Sequence, residues 1–191
     1  RRSSDLLYGE AAIGGVINVI TRAGKGDPKA YGSSTVGSRK TSDLNVGYGG
    51  RTNDTSFDLN AGISGTAGFS AMNADKNSSV NPDRDAFRSQ YAGVKVDQKI
   101  DSSLRVGLRG SMKSSVVDYD NGYGTRTETN QFLIKTDTVG AYINKRVSND
   151  WMSNFDVTAS NFSYDDLKSS YKKWVVATSL ATKRPLPSTC H

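Results

Sequence analysis

The sequence is poor in the residues from which most catalytic and metal centres are built. Its 191 residues include one cysteine and one histidine, Cys190 and His191, adjacent to each other. These two cannot form a disulfide framework, a Cys/His zinc site or a nucleophile paired with a distant histidine base. The sequence also lacks a Gly-x-Ser-x-Gly elbow and a phosphate-binding loop. We therefore predict that the chain is not an enzyme.

Long hydrophobic runs are also missing. No stretch approaches the roughly 18 apolar residues of a transmembrane helix, and hydrophobic residues make up only 35% of the sequence. Such a composition fits either disorder or a β-protein with a single apolar face. The nine tyrosines and six phenylalanines favour the β-protein, because they recur in alternating segments. The net charge of +6 comes from scattered cations, so no nucleic-acid partner is predicted.

Alternation of apolar and polar residues is the main signal from residue 30 onward. It is clearest in the segments 57–64, 92–97, 104–112, 139–147 and 151–160. A period of two places the two sets of side chains on opposite faces of a strand. One face is then apolar, and the other carries Arg, Lys, Asp and Asn. The pattern predicts an all-β protein with about seven or eight antiparallel strands over residues 30–170, as in the wall of a water-filled membrane barrel.

The connectors alternate in length along the chain. Short polar turns at 51–55, 99–103 and 148–150 are separated by longer polar segments at 68–88 and 118–131. Outer-membrane barrels have short periplasmic turns and longer outer loops, so the two long segments are predicted outer loops. Residues 171–191 lose the alternation, and we predict an irregular tail that is truncated or altered by a reading-frame error. Aromatic residues at predicted strand ends are candidates for interfacial girdles: Tyr31, Tyr48, Tyr119, Tyr123, Trp151 and Tyr164.

The first 23 residues form a separate unit, a glycine-rich turn followed by an apolar strand. Residues 24–29 have the composition of a linker to the alternating segments. Residues 7–22 resemble the last block of the plug domain of TonB-dependent outer-membrane receptors. The residues that carry this resemblance are Tyr8, Gly9, Ala12, Ile13, Gly14, Gly15 and Asn18. The resemblance implies that residues 1–23 are the C-terminal end of a plug domain, followed by the first strands of a transmembrane antiparallel β-barrel.

A second resemblance narrows the type of receptor. Residues 68–71 (Gly-Phe-Ser-Ala) and 81–88 are similar to the first large outer loop of the vitamin B12 receptor group, with Ala86 where a glycine is common. The resemblance implies a fragment of a receptor in the bacterial outer membrane, in contact with its lipid. Such a receptor imports a scarce small-molecule ligand, here cobalamin, with energy from TonB and the inner-membrane complex. The TonB-contacting segment lies outside the sequence given. A siderophore receptor and a small non-transporting barrel are the alternatives.

Candidate site residues lie in the two predicted outer loops. Asp118, Asp120 and Asn121 offer oxygen ligands suited to calcium, which cobalamin receptors use to order outer loops; a plain Asn-Gly turn is the alternative. Candidate ligand-binding residues are Phe69, Asp83, Asp85 and Tyr119, and a solvated loop is the alternative for the two aspartates. On the strands, Lys95, Arg105 and Arg109 are predicted to point into the lumen, because charge on the lipid face is costly.

Overall fold

The computed structural model describes residues 24–70, 72–149, 151–167 and 172–182. The predicted plug segment, residues 1–23 with all its motif residues, lies outside them. The described residues form eight strands: β1 (Lys29–Gly37), β2 (Thr41–Thr52), β3 (Thr55–Thr66), β4 (Phe87–Lys99), β5 (Leu104–Tyr119), β6 (Asn130–Ser148), β7 (Trp151–Asp166) and β8 (Lys172–Thr182). Each strand pairs antiparallel with the next in one open sheet, in the order β1 to β8. The predicted all-β, antiparallel architecture is confirmed. None of the described residues forms a helix long and apolar enough to cross a membrane.

The sheet has two chemically different faces, and the apolar one is uncovered. Leu59 pairs with Tyr48 on one side and Val94 on the other, so apolar side chains share one face across strands. Large side chains on this apolar face are open, with Leu108 63% exposed and Val139 62% exposed. Among the described residues, Val80 is the only buried hydrophobic side chain. A water-soluble sheet would cover such a face with a second layer.

The opposite, polar face is held together by tyrosines that reach across a neighbouring strand. Each ring lies over a glycine on the next strand, and its hydroxyl contacts a polar side chain one strand further on. Three tyrosines share this arrangement: Tyr31 over Gly47 to Asp58, Tyr91 over Gly62 to Asn45, and Tyr142 over Gly107 to Asp97. A Cβ atom at any of these three glycines would overlap the ring. We call these units the tyrosine braces; together they link β1 to β6.

The braces satisfy carboxylates that the sheet buries. Asp58 is only 2% exposed and Asp97 only 8%. The Tyr31 hydroxyl lies 2.9 and 2.8 Å from the two Asp58 oxygens, and Asn60 Nδ2 donates to the same carboxylate at 3.0 Å. Buried carboxylates are costly unless they are hydrogen-bonded. The polar face is therefore an ordered surface of hydrogen-bonded side chains.

The connections differ in length at the two ends of the sheet. At one end, the turn end, residues 53–54, 100–103 and 149–150 join successive strands; at the other, the loop end, the segments 38–40, 67–86, 120–129 and 167–171 do so. The strands reach further into the long segments than the sequence predicts, because β4 begins at Phe87, β5 ends at Tyr119 and β6 begins at Asn130. Apart from the three-residue connection 38–40, the connections at the loop end are longer than those at the turn end, as the alternation of lengths in the sequence predicts.

Three sequence expectations differ from the structure. The predicted irregular tail at 171–191 is wrong for Lys172–Thr182, which forms β8; pairing with β7 satisfies its backbone without strict alternation. The predicted linker at 24–29 is one residue too long, since Lys29 already belongs to β1 and pairs with Gly49. The girdle prediction is wrong for three aromatics, because strand alternation places Tyr31, Tyr119 and Tyr164 on the polar face.

Replacing Asp101 by alanine is expected to loosen the turn between β4 and β5. Its Oδ1 accepts hydrogen bonds from Ser103 N, Ser103 Oγ and Leu104 N at 2.6, 2.7 and 2.9 Å. The Ser103 bonds lower the pKa of Asp101, so its contribution is complete at neutral pH and is lost as pH falls below the ordinary value of 3.8. A lower urea midpoint for Asp101→Ala than for the neighbouring Ser102→Ala at pH 7 tests this. Equal midpoints would contradict it.

Candidate functional site

The two long loops at the loop end contact each other. Asp120 Oδ2, directly after β5, accepts hydrogen bonds from Ser70 Oγ at 2.9 Å and from Met72 N at 3.0 Å. Further along, Asn77 Nδ2 donates to the Gly122 carbonyl and Asn81 Nδ2 to the Glu128 carbonyl, both at 3.0 Å. The segments 67–86 and 120–129 therefore form one surface, and residues far apart in sequence meet there.

Three carboxylates converge where these loops meet. Asp83, Asp85 and Asp120 each offer one oxygen, and these oxygens lie within 4.8 Å of one another. Partial burial raises the pKa of Asp83, and the negative charges of Asp120 and Asp118 raise it further. Repulsion between carboxylates at this spacing is relieved by a proton or by a bound cation. We call these three residues the aspartate cluster.

One oxygen of the cluster lacks a partner. Asp120 Oδ1 is one of two buried side-chain oxygens in the described part of the chain that accept no hydrogen bond. Buried polar atoms are rarely left unsatisfied, and an exception points to a missing water or ion. Calcium prefers carboxylate oxygens as ligands. The unpartnered oxygen and the three converging carboxylates both fit a divalent cation.

The path of the first loop brings Asp85 into the cluster. Gly68 has a φ of +60°, and a Cβ there would overlap the Asp85 carbonyl oxygen. The Asp85 amide donates in turn to the Phe69 carbonyl at 3.4 Å. The two ends of the loop thus lie side by side, and only glycine allows this approach.

The structure regroups the predicted metal ligands. Asp118 lies outside the aspartate cluster, and its Oδ1 accepts a hydrogen bond from Gln131 at 2.9 Å. The side-chain oxygen of Asn121 accepts from the Tyr123 amide at 3.0 Å, which makes a local turn. Of the three predicted calcium ligands, only Asp120 joins the cluster, where it meets the predicted ligand-binding pair Asp83 and Asp85. Sequence reasoning missed this grouping, because it depends on the contact between the two loops.

The two predicted aromatic contact residues have different surroundings. Phe69 is 59% exposed, and the Arg39 guanidinium lies 4.6 Å from its ring centroid. Tyr119 stacks on Phe132 with ring centroids 4.0 Å apart, and Phe132 packs on Tyr164 at 4.5 Å. Phe69 is therefore an accessible side chain, whereas Tyr119 is the first ring of an aromatic row across β5, β6 and β7.

The predicted lumen-facing cations lie together on the polar face at the turn end. Arg109 Nη2 pairs with Asp156 Oδ1 at 2.7 Å and donates to Thr158 Oγ1 at 2.5 Å. Lys95 Nζ lies 4.0 Å from Asp97 Oδ2. Arg105 is exposed beside them. These charges stand at the opposite end of the sheet from the aspartate cluster.

Sequence comparisons find relatives among transport proteins. No protein-family model matches the chain. It is 32% identical over 121 residues to "Vitamin B12 transporter BtuB" of Vibrio cholerae serotype O1, a match over 63% of this chain and 20% of that protein. It is 26% identical over 177 residues to the protein of the same name from Photobacterium profundum, over 90% of this chain and 28% of that protein. The chain thus spans less than a third of the length of either relative.

These matches agree with the two resemblances found in the sequence. The predicted resemblance to TonB-dependent receptors, and within them to the vitamin B12 group, is confirmed. The structural features that accompany it are an open antiparallel sheet, an uncovered apolar face and a cluster of carboxylates in the long loops.

Proposed function

We propose that this chain, a relative of vitamin B12 transporters, forms part of the wall of a TonB-dependent outer-membrane receptor that imports cobalamin. The observation that carries the proposal is the sequence similarity, which covers 90% of the chain in the longer match. The exposed apolar face supports the placement in a membrane, since lipid would cover side chains such as Leu108 and Val139. The polar face would then line the lumen, with the braces keeping it rigid.

The orientation follows from the connections. Short turns in outer-membrane barrels face the periplasm and longer loops face outward. The aspartate cluster and Phe69 would therefore lie on the outer surface, where ligand arrives. We propose that Phe69 contacts the ligand directly, because it is exposed. Tyr119 would contact the ligand through the edge of its ring that carries the hydroxyl, since one face of the ring is stacked on Phe132.

Calcium is proposed as the ion that orders the outer loops. Asp83, Asp85 and Asp120 would hold it, with the unpartnered Asp120 Oδ1 as one ligand. Bound calcium would neutralise the mutual repulsion of the three carboxylates. Because Asp83 and Asp85 belong to one loop and Asp120 to the other, the ion would fix the loops relative to each other and preorganise the surface for ligand.

Energised uptake is the remaining part of the proposal. In receptors of this family the ligand enters through the barrel, and TonB with its inner-membrane complex supplies the energy. The polar face of this chain would be the wall that faces the plug. Its buried hydrogen bonds would let the plug move without loosening the sheet, because the braces join one strand of the wall to another.

Cobalamin binding by the full-length protein tests the proposal. Purified in detergent, it is expected to bind radiolabelled cyanocobalamin saturably, and cells that express it in place of their own receptor should take up the label only when TonB is present. Phe69→Ala should weaken binding, whereas Phe162→Ala, a change on the polar face away from the loops, should not. Saturable binding of a ferric siderophore without cobalamin would favour the siderophore alternative. Binding of neither would favour a non-transporting barrel.

A further inference from the structure

The hairpin between β1 and β2 has a backbone that does not suit its two central residues. Arg39 and Lys40 both have a φ of 56°, in the left-handed region, and the Thr41 amide donates to the Ser38 carbonyl at 3.0 Å. Two-residue turns of this kind are normally built from Asn-Gly or Gly-Gly, because a Cβ atom is unfavourable in this conformation. Two long cations therefore stand where asparagine and glycine would suit the backbone better.

The hairpin is tied to the first long loop on the polar side of the sheet. The Arg39 carbonyl accepts hydrogen bonds from the Ala67 amide at 2.9 Å and from Thr66 Oγ1 at 3.3 Å. Thr66 belongs to the polar face, since it stands at an alternate position of β3 with Asp58 and Asn60. Both bonds use only the backbone of Arg39. They fix the hairpin, but they do not explain why an arginine stands here.

The side chain of Arg39 lies on an exposed aromatic ring. Its Cζ atom is 4.6 Å from the centroid of the Phe69 ring, and Phe69 is 59% exposed. Arg39 and Lys40 are exposed as well, and neither forms an ion pair with another described residue. A guanidinium on an aromatic face keeps its N–H donors available at its edge, in a planar arrangement that matches phosphate oxygens. The stack is therefore preorganised to bind an oxyanion.

Calcium at the aspartate cluster would make the surrounding loops positive. The segments 38–40, 67–86 and 120–129 carry five cations and five carboxylates between them, so their charges cancel. A divalent ion held by the cluster would leave an excess of two positive charges on this surface. Such an excess attracts anionic ligands in preference to neutral ones.

We infer that Arg39, stacked on Phe69, binds an oxyanion of the arriving ligand, and that in cobalamin this group is the phosphodiester. The phosphodiester is the ionised side group of cobalamin, whose other side chains are amides. Lys40 adds a second positive charge at the same turn. This inference rests on the proposed function, in which Phe69 contacts cobalamin at the outer surface.

Two corrinoids that differ in the phosphate test the inference on the full-length protein in detergent with calcium. Cyanocobalamin has the phosphodiester, and dicyanocobinamide has the same ring without it. Arg39→Gln should weaken cyanocobalamin binding about tenfold, as expected for one hydrogen bond to a charged group, and leave dicyanocobinamide binding unchanged. Arg39→Lys should give an intermediate loss, because the charge remains and the planar donors are removed. Lys76→Gln, which removes an exposed cation from the loop 67–86, is the matched control and should change neither.

A second variant separates the contact from the stability of the turn. Arg39→Asn combined with Lys40→Gly suits the left-handed backbone, so it should raise the urea midpoint of unfolding and still lower the affinity for cyanocobalamin. A lower midpoint would show that the two cations stabilise the turn, and it would overturn the inference. An unchanged affinity for cyanocobalamin would also overturn it, as would an equal loss of both corrinoids in Arg39→Gln.

A lipid headgroup is the other source of a phosphate at this surface. Phosphatidylglycerol that is bound by the parent protein and lost from Arg39→Gln, with both corrinoids bound as before, would overturn the inference in favour of the lipid.

Failure of the proposed function gives a different result. If the unmodified protein binds neither corrinoid, inorganic phosphate is titrated in their place. A phosphate-dependent rise in the urea midpoint that Arg39→Gln abolishes would reject the choice of ligand and support the oxyanion contact. The absence of such a rise would reject the contact as well. Corrinoid binding by the parent without a preference for the phosphodiester would reject the contact alone.

Discussion

Alanine at Gly107 is expected to be among the most damaging single substitutions in the sheet. A Cβ there would overlap the ring of Tyr142, and forcing extra volume into a packed site costs about 1–3 kcal/mol. Moving the ring would also remove the hydroxyl that donates to Asp97, and a buried group that loses its partner costs about 1–3 kcal/mol more. The free energy of unfolding, from urea titration of the full-length protein in detergent, measures the sum.

Two controls separate this effect from a general intolerance of side chains. Gly110 lies on the same strand, but its Cβ would meet Val94 Cγ1 at 3.4 Å, an ordinary contact, so Gly110→Ala should be nearly neutral. In a Tyr142→Ala background the ring is gone, and Gly107→Ala should then have little further effect. An equal loss of stability from Gly107→Ala with and without the ring would show that the brace is not the cause.

Asparagine at Asp120 is expected to abolish most calcium binding at the aspartate cluster. The substitution removes one negative charge from the aspartate cluster and alters a carboxylate whose buried Oδ1 has no hydrogen-bond partner. Because calcium affinity follows the number of charged ligands, we expect a loss of at least about tenfold. Calorimetric titration of the full-length protein with calcium measures it. Asp75→Asn, the same charge change at an exposed position in the same loop, is the matched control.

Without calcium the same substitution should act in the opposite direction. Asp120→Asn removes a repulsive charge from Asp83 and Asp85, so in a chelator the loops of the variant should resist protease better than those of the parent. In calcium the parent should be the better protected protein. Protection that is independent of calcium in both proteins would contradict the assignment of the cluster as a cation site.

The architecture was open to prediction because it depends on a short-range pattern. A period of two in residues such as Leu59 and Val94 gives the face of each side chain, and the lengths of the connectors give the two ends of the sheet. The composition points the same way, since a single apolar face needs few hydrophobic residues. What the pattern leaves open is which residues of one strand stand opposite those of the next.

The details of the site depend on that register and on loop contacts. Gly47, Gly62 and Gly107 look like ordinary breaks in alternation until pairing sets each of them opposite a tyrosine. The signal available in the sequence was that each glycine stands two residues from a polar residue of its own strand, which places both on the polar face. The aspartate cluster joins two loops, so no spacing within either loop predicts it. β8 was missed for a similar reason, because its backbone partner lies on β7 rather than in its own sequence.

The tyrosine braces also give the sheet a means of rejecting misaligned strands. A one-residue slip between β5 and β6 would turn Tyr142 toward the apolar face. A two-residue slip there would keep its face but set its ring over Arg105 or Arg109 in place of Gly107. The same slip between β3 and β4 would set Tyr91 opposite Asn60 or Ser64 in place of Gly62. Each hydroxyl reaches its hydrogen-bond partner only when three strands are in place. A misaligned strand therefore loses both the contact between ring and glycine and the hydrogen bond of the hydroxyl, so the braces favour the correct register over the neighbouring ones.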